Sequence, residues 1–198
     1  MIEVVELKKL YLQDGLSAAQ IAEKFSLSQN AINYWLAKHE IQKRSISEAL
    51  YLKLNPNGDP FCYQSPSTTE EWMLFGLGIG LFWGEGNKRS KSSVRLGNID
   101  PGLIRNFLKF LDKIFSIDKK KLRFGLQIFS DTSPKVARRY WEKELHLSSS
   151  QFQKVIVTPA RSPGTYKHKS EYGVLTVNFS NTKLKKIMDG LIENLSSL

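Results

Sequence analysis

The apolar positions of the first 45 residues repeat with the spacing of short amphipathic helices. Residues 2–13 carry such a pattern at Val4, Val5, Leu7, Leu10 and Tyr11, and Asp14-Gly15 ends it. Ser17 and Ser28 then precede helical patterns over 18–25 and 29–39, and each serine can cap the helix that follows. The sequence therefore predicts three short helices with a tight turn between the last two.

Turn-forming residues mark a boundary after these helices. Asn55-Pro56-Asn57-Gly58 and Ser65-Pro66 fall in a stretch typical of a connector, in which 47–54 could form a short helix. We predict a first domain over 1–45, a linker over 46–68 and a second domain over 69–198.

The second domain alternates strand and helix patterns. Strands are predicted over 92–98, 121–129, 154–158 and 174–179, and helices from 72 onward and over 101–115, 134–145 and 181–195. Along 121–129, every second residue is apolar. The polar residues between them would line the exposed face of an antiparallel sheet, together with neighbours on the other strands: Arg95, Lys121, Arg123, Gln127, Thr176 and Asn178. The expected fold class is α+β.

Residues 94–111 and 175–192 form a weak internal repeat. Each reads as a strand, a turn with Asn and an amphipathic helix. Two such units around one sheet would give a pseudo-symmetric saddle, although two ordinary strand–helix units can also look alike by chance.

Residues 72–87 form a long apolar stretch with glycine at 76, 78, 80, 84 and 86, closed by the acid Glu85. Glycine costs about 1 kcal/mol in a helix interior, so this density favours close packing against another helix, through Gly76, Gly80 and Gly84 above all. A plain core helix is the alternative. A membrane span is not expected, because charged residues at both ends leave only 72–84, short of about 20 apolar residues.

The segment Gly80-Leu81-Phe82-Trp83-Gly84-Glu85-Gly86 resembles the LAGLIDADG motif of homing endonucleases, with Glu85 at its final acidic position. Residues 98–104 resemble the helix start after that family's second strand, and the resemblance extends over 69–198. It implies a saddle whose sheet faces DNA, and two motif helices that each supply one acid. Glu85 would then be the catalytic residue and the ligand for Mg²⁺ or Mn²⁺.

The chain holds only one full motif. A second acid would come from the Glu85 of a symmetric partner, in a homodimer formed through the motif helix, or from a degenerate helix in the same chain. The helix over 136–145 falls where a second motif would, but it lacks glycine, and Glu142 and Glu144 are out of register with Glu85. Trp83 also stands where the family often has an acid. Gln127 and Lys154 are predicted as outer catalytic groups.

Residues 16–36 resemble the helix-turn-helix DNA-binding units of resolvases and phage-type regulators. The resemblance implies that the third helix enters the major groove and reads bases with Gln29, Asn30, Asn33 and Tyr34. Asn and Gln can pair in bidentate fashion with adenine. Lys38, Lys43 and Arg44 follow and suit phosphates.

The net charge of +10 lies entirely in the second part of the chain. Residues 1–60 hold seven Lys and Arg against seven Asp and Glu, whereas residues 61–198 hold 22 against 12. Such an excess favours a polyanionic partner, although a solubilising surface is the simpler alternative. The expected DNA contacts of this part are Lys88, Arg89, Lys91, Arg95, Lys121, Arg123, Gln127, Lys167 and Lys169.

Cys62 is the only cysteine, which excludes an internal disulfide and a cysteine-based zinc site. No secretory signal pattern is evident, so we expect a cytoplasmic, nucleoid-associated protein that binds double-stranded DNA and no membrane. The leading function is a Mg²⁺-dependent, sequence-specific DNA endonuclease of the homing type, and the main alternative is a regulator with the same fold and no cleavage. An RNA-binding or intron-splicing helper is a third.

Overall fold

The computed structural model describes residues 2–160 and 170–196. The chain divides into two compact units, Met1–Asp59 and Pro60–Leu198, and each has its own hydrophobic core. The boundary between them lies inside the segment predicted as a linker.

The first unit is helical: α1 is Val4–Lys8, α2 is Ala18–Lys24, α3 is Gln29–Lys38 and α4 is Ile46–Leu54. The chain continues from α1 as a π-helical segment, Lys9–Gln13. The predicted first helix therefore forms, but its second half is π-helical instead of α-helical. Both predicted caps are confirmed, because Ser17 accepts a hydrogen bond from the Gln20 amide and Ser28 from the Ala31 amide. Leu7, Ile21, Ile32 and Leu36 are fully buried between these helices.

The second unit is α+β, as predicted. Its elements in chain order are α5 Thr69–Glu85, β1 Val94–Asn98, α6 Pro101–Phe115, β2 Arg123–Phe129, α7 Pro134–Leu145, β3 Ile156–Thr158, β4 Val174–Phe179 and α8 Thr182–Ser196. The strands form one sheet in the order β1-β4-β2-β3. Helices α5 to α8 all contribute to a core cluster with every second residue of β1, β2 and β4, which places them on one side of the sheet.

The prediction of a wholly antiparallel sheet is wrong at one edge. β4 is antiparallel to β1 and to β2, but β2 and β3 are parallel. The connection through α7 is long enough to return the chain to the start of the sheet, which a parallel pair requires. Lys121 was also predicted on a strand and instead ends a short 3₁₀ turn, Lys119–Lys121, so β2 begins at Arg123.

The two halves of the internal repeat are paired with each other in the sheet. Leu96 and Val177, which the repeat aligns, are direct cross-strand partners of β1 and β4. The repeat also aligns the two residues that begin the following helices. Asp100 accepts a hydrogen bond from the Gly102 amide, and Asn181 accepts one from the Leu184 amide. The β1–α6 and β4–α8 units thus meet at this antiparallel strand pair, and each helix follows a residue that caps it.

None of the described helices combines the length and the apolar character needed to cross a bilayer.

Candidate nucleic-acid interface

The face of the sheet opposite the helices carries polar and small residues in ordered rows. Arg95, Asn178 and Arg123 lie side by side on β1, β4 and β2, and Gly97, Thr176 and Gly125 form the next row. Across the described residues, the four strands contain no Asp or Glu. The face is therefore basic at one end and lacks the acids that a merely solvated sheet would be expected to mix in.

Arg95 and Asn178 are joined by a hydrogen bond across the strands. Nε of Arg95 donates to Oδ1 of Asn178 at 3.1 Å, and Asn178 itself is only 8% exposed. Arg123 is held differently, because its Nη1 donates to the carbonyls of Lys120 at 2.7 Å and Leu122 at 2.8 Å. The two arginines of the row thus have fixed but distinct orientations.

Glycines flank Thr176 on both neighbouring strands. A Cβ at Gly97 would lie 2.9 Å from Oγ1 of Thr176, whereas one at Gly125 would make ordinary contacts at 3.7 Å. Glycine inside a strand commonly marks close approach of another molecule or backbone. Gly97 and Gly125 were not predicted as site residues, although two mid-strand glycines were the available signal.

The far end of the same face is less polar. Gln127 is exposed on β2 and donates from Nε2 to Oγ1 of Thr158 on β3 at 3.2 Å. Val174 and Ile156 are its neighbours on the adjacent strands, and both are exposed. The sheet face therefore changes from arginine and asparagine at one end to apolar side chains around one glutamine at the other.

Glu85 is the last residue of α5, and its side chain is exposed. The next residue, Gly86, pairs with Leu96 on β1, and the Asn87 amide donates to the Arg95 carbonyl at 2.8 Å. The end of α5 is thereby tied to the edge of the sheet, close to the row of basic residues.

The loop after α5 carries three of the predicted DNA contacts. The side chain of Asn87 accepts hydrogen bonds from the amides of Arg89 at 2.9 Å and Ser90 at 3.1 Å, which orders the turn. Lys88, Arg89 and Lys91 are exposed on it. A compact basic loop thus directly follows the acid.

The two predicted outer catalytic groups lie elsewhere on the sheet. Gln127 is on β2, two strands from β1, which at roughly 4.8 Å per strand is about 10 Å from the strand that Gly86 joins. Lys154 is exposed in the segment before β3, the opposite edge of the sheet. Their assistance to Glu85 stays a prediction.

A divalent metal would find one carboxylate at this position in each chain. Within residues 2–160 and 170–196 there is no cluster of three His, Cys, Asp or Glu side chains suited to a metal ion. Mg²⁺ is commonly held by one or two carboxylates with the remaining ligands from water and substrate phosphates. Glu85 could therefore supply one protein ligand to such an ion.

The glycines of α5 divide into two groups. A Cβ at Gly78 would lie 2.1 Å from the ring of Phe110 on α6, so this glycine is needed for packing inside the unit. A Cβ at Gly76, Gly80 or Gly84 would have no described atom within 4 Å. These three positions, predicted as a helix-packing interface, are spaced four residues apart and form a stripe along one side of α5.

Large apolar side chains flank that stripe. Trp72 is 56% exposed, Met73 71%, Leu77 46% and Trp83 42%. With 3.6 residues per turn, these four and the three glycines fall within a single arc of the helix surface. The exposed side of α5 is thus an apolar face with a shallow glycine groove along it, here called the α5 glycine face.

The predicted base readers lie on α3 of the first unit. Gln29, Asn30 and Tyr34 are exposed, and Asn33 is half-buried. Nζ of the exposed Lys38 lies 4.9 Å from the centre of the Trp35 ring and 5.9 Å from that of Tyr34.

The remaining predicted phosphate contacts of this part differ in their surroundings. Lys43 is exposed. Arg44 is half-buried: its guanidinium donates to the carbonyls of Gly15 at 2.7 Å and of Leu16, and lies 4.1 Å from the centre of the Tyr11 ring. Arg44 therefore holds the segment between α3 and α4 against the turn before α2, a role that the sequence did not indicate. Lys167 and Lys169 lie outside the described residues.

No protein-family model matches the chain, and comparisons with curated proteins and with solved structures return no match.

Proposed function

We propose that this protein binds double-stranded DNA in a sequence-specific manner, mainly through the exposed face of its sheet. The observation that carries the proposal is the acid-free row of Arg95, Asn178 and Arg123 beside the basic loop at Lys88. Arginine and asparagine donate to phosphates and to base edges, and β-strands can enter the major groove. The net charge of +10 in residues 61–198 would hold such a complex together.

As a helix-turn-helix, the first unit would lengthen the DNA sequence that the protein recognises and would add little to its affinity. α2 and α3 are joined by a four-residue turn, and Asn30, Asn33 and Tyr34 share one side of α3. This is the arrangement by which a recognition helix presents side chains to base edges. Because residues 1–60 are electrically balanced, this unit would contribute little to non-specific binding.

We also propose that two chains paired through the α5 glycine face cleave the DNA they bind. A symmetric pair would bring together one Glu85 from each chain at the ends of the paired helices. Mg²⁺ or Mn²⁺ bound there would provide an activated water and neutralise charge on the leaving oxygen. The lack of a Cβ at Gly76, Gly80 and Gly84 would allow the helices to approach closely.

The second candidate is a transcriptional regulator that binds DNA and does not cleave it. One observation favours it. Each chain offers a single carboxylate at this position, next to Trp83 rather than to a second acid. On this proposal Glu85 would serve only at the end of α5.

Binding is tested with the full chain and a randomised duplex library. Repeated selection should enrich one site, and the logarithm of the association constant should fall with the logarithm of salt by about 0.9 for each phosphate contacted. Arg123→Ala should reduce that slope, whereas Lys135→Ala, on the helical side of the sheet, is a matched control of equal charge. Failure to enrich any site would contradict sequence-specific binding.

Cleavage is tested on the selected site with Mg²⁺ and with Mn²⁺. If the endonuclease proposal holds, Glu85→Gln should bind the site as well as the original chain and leave it intact, because an amide is a poor ligand for a hard cation. Gly80→Leu should abolish cleavage together with dimerisation, measured by sedimentation on the same samples. An original chain that binds tightly and never cleaves would establish the regulator.

A further inference from the structure

The side chain of Asn178 orients Arg95, and it does so through its amide oxygen. A guanidinium has five N–H donors and no acceptor, so the amide of Asn178 must present its oxygen to Arg95. That oxygen accepts from Nε at 3.1 Å. Asn178 is nearly buried and lies on the central strand β4, so its position is fixed by the sheet.

The bond to Asn178 uses only one of the five donors. Among the described residues, Nη1 and Nη2 of Arg95 make no hydrogen bond, and the side chain is exposed. The two terminal nitrogens form the edge of the guanidinium that can donate two parallel hydrogen bonds. In DNA, the matching pair of acceptors on one base is O6 and N7 of guanine in the major groove.

The sheet surface beside Arg95 carries no large side chain, so the edge of a base could approach the guanidinium. The next residue on the same side of β1 is Gly97, and the row that it shares with Thr176 ends at Gly125 on β2. Neither glycine carries a side chain that would hold a duplex away from the sheet. Arg123, in the row of Arg95, is bound to the carbonyls of Lys120 and Leu122 and is turned along its own strand.

We infer that Arg95 reads a guanine through Nη1 and Nη2, and that Asn178 is the positioning residue that orients it. The inference rests on the proposed binding of duplex DNA through this face. It assigns base recognition to Arg95, whereas Arg123, with the same charge in the same row, contributes to affinity for any sequence.

The test uses the full chain and the duplex site that selection enriches. Each guanine of the site is replaced in turn by 7-deazaguanine, which removes the N7 acceptor and leaves Watson–Crick pairing intact. At one guanine the original chain should lose about 10-fold in affinity, and Arg95→Ala should bind both duplexes equally within about 2-fold. Arg95→Ala should also bind the unmodified site about 10- to 100-fold more weakly than the original chain does.

Two further variants separate recognition from structure. Arg123→Ala should weaken binding to all duplexes and keep the sensitivity to 7-deazaguanine. Asn178→Ala should lower that sensitivity to 7-deazaguanine, and Asn178→Asp, which still presents an acceptor to Nε of Arg95, should retain it. Thermal unfolding of each variant shows that the sheet is intact.

The outcomes are distinguishable. If no site is enriched, the proposed function fails and the inference fails with it. If a site is enriched but Arg95→Ala and the original chain respond alike at every 7-deazaguanine, DNA binding stands and guanine reading by Arg95 is overturned. If Arg95→Ala removes the response and Asn178→Asp does not retain it, the assignment of Asn178 as positioning residue is overturned.

Discussion

Two glycines of the same helix should respond in opposite ways to the same substitution. Gly78 and Gly80 are two residues apart, and both lie in the middle of α5, away from its ends. Replacing either by alanine removes the conformational freedom of glycine in the unfolded chain and favours the helix by about 1 kcal/mol. The difference must come from what the added methyl group meets.

At Gly78 the methyl group would collide with a buried ring. The new Cβ would lie 2.1 Å from Cγ of Phe110, 2.2 Å from Cδ2 and 2.6 Å from Cδ1, and Phe110 is completely buried. Because these atoms are the base of the ring, the ring cannot swing clear without moving α6. Overpacking of this kind typically costs 1–3 kcal/mol and occasionally more. Because three ring carbons lie within 2.6 Å of the new Cβ, we take the upper part of this range, about 2–3 kcal/mol, and after the helix gain of about 1 kcal/mol we expect a net loss of about 1–2 kcal/mol for Gly78→Ala.

At Gly80 no described atom lies within 4 Å of the new Cβ, so only the helix gain remains. Gly80→Ala should therefore stabilise the isolated chain by roughly 1 kcal/mol. Thermal unfolding of Pro60–Leu198, followed by the near-ultraviolet signal of the buried Trp141, should show a fall in Tm for the first variant and a rise for the second. Each kcal/mol corresponds to about 3–4 °C in a unit of this size.

The measurement requires a protein concentration at which sedimentation shows a monomer, so that pairing through the α5 glycine face does not contribute. If both substitutions shift Tm in the same direction, the assignment of Gly78 to the interior and Gly80 to the surface is refuted.

Three other predictions follow from the side-chain contacts. Arg44→Ala should destabilise the first unit by about 2–3 kcal/mol in thermal unfolding, since it removes two charge-assisted hydrogen bonds, and Lys43→Ala should leave stability unchanged. Asp189→Ala should lower the free energy of unfolding by about 3 kcal/mol, because it leaves the buried ammonium of Lys185 without its carboxylate partner. Lys185→Met should leave that free energy nearly unchanged. Amide donation from Ser67, with help from its hydroxyl and the Thr68 amide, lowers the pKa of Glu71 below its usual 4.5. The contribution of the Glu71 carboxylate to folding stability is therefore present above pH 4.5 and is lost as the pH falls through the lowered pKa. The Tm difference between the original chain and Glu71→Gln should vanish only in that acidic range.

Local patterns in the sequence were sufficient to locate most of the elements. β4 has the predicted bounds, and the caps at Ser17 and Ser28 form as predicted. These features depend on residues within a few positions of one another, since alternation marks a strand and a serine before an apolar repeat marks a helix start. The inward and outward residues of β2 follow for the same reason.

The pairing of strands could not be obtained in this way. β2 and β3 are parallel because of the path that the chain takes through α7, which no pattern inside either strand encodes. The bond between Arg95 and Asn178 joins residues 83 positions apart, so alternation placed both on one face without making them partners. Similarly, the spacing of four sets Gly76, Gly80 and Gly84 apart from Gly78 in the sequence, but it does not show that Gly78 packs against Phe110 of α6.

If the endonuclease proposal holds, the α5 glycine face would link assembly of the protein to its chemistry. Glu85 directly follows Gly84, the last glycine of the stripe, so a second copy of α5 packed parallel to the first would bring its own Glu85 to the same end. Packed helices lie 8–10 Å apart, and glycines at the contact favour the shorter distances. Two carboxylates would then be on the order of 10 Å apart or closer, at the sheet edge to which Gly86 is bonded. A single chain has one Glu85, at the end of its α5. On the two proposals, the endonuclease would therefore require a paired state on DNA, whereas the regulator would not, and sedimentation of the DNA complex tests this difference.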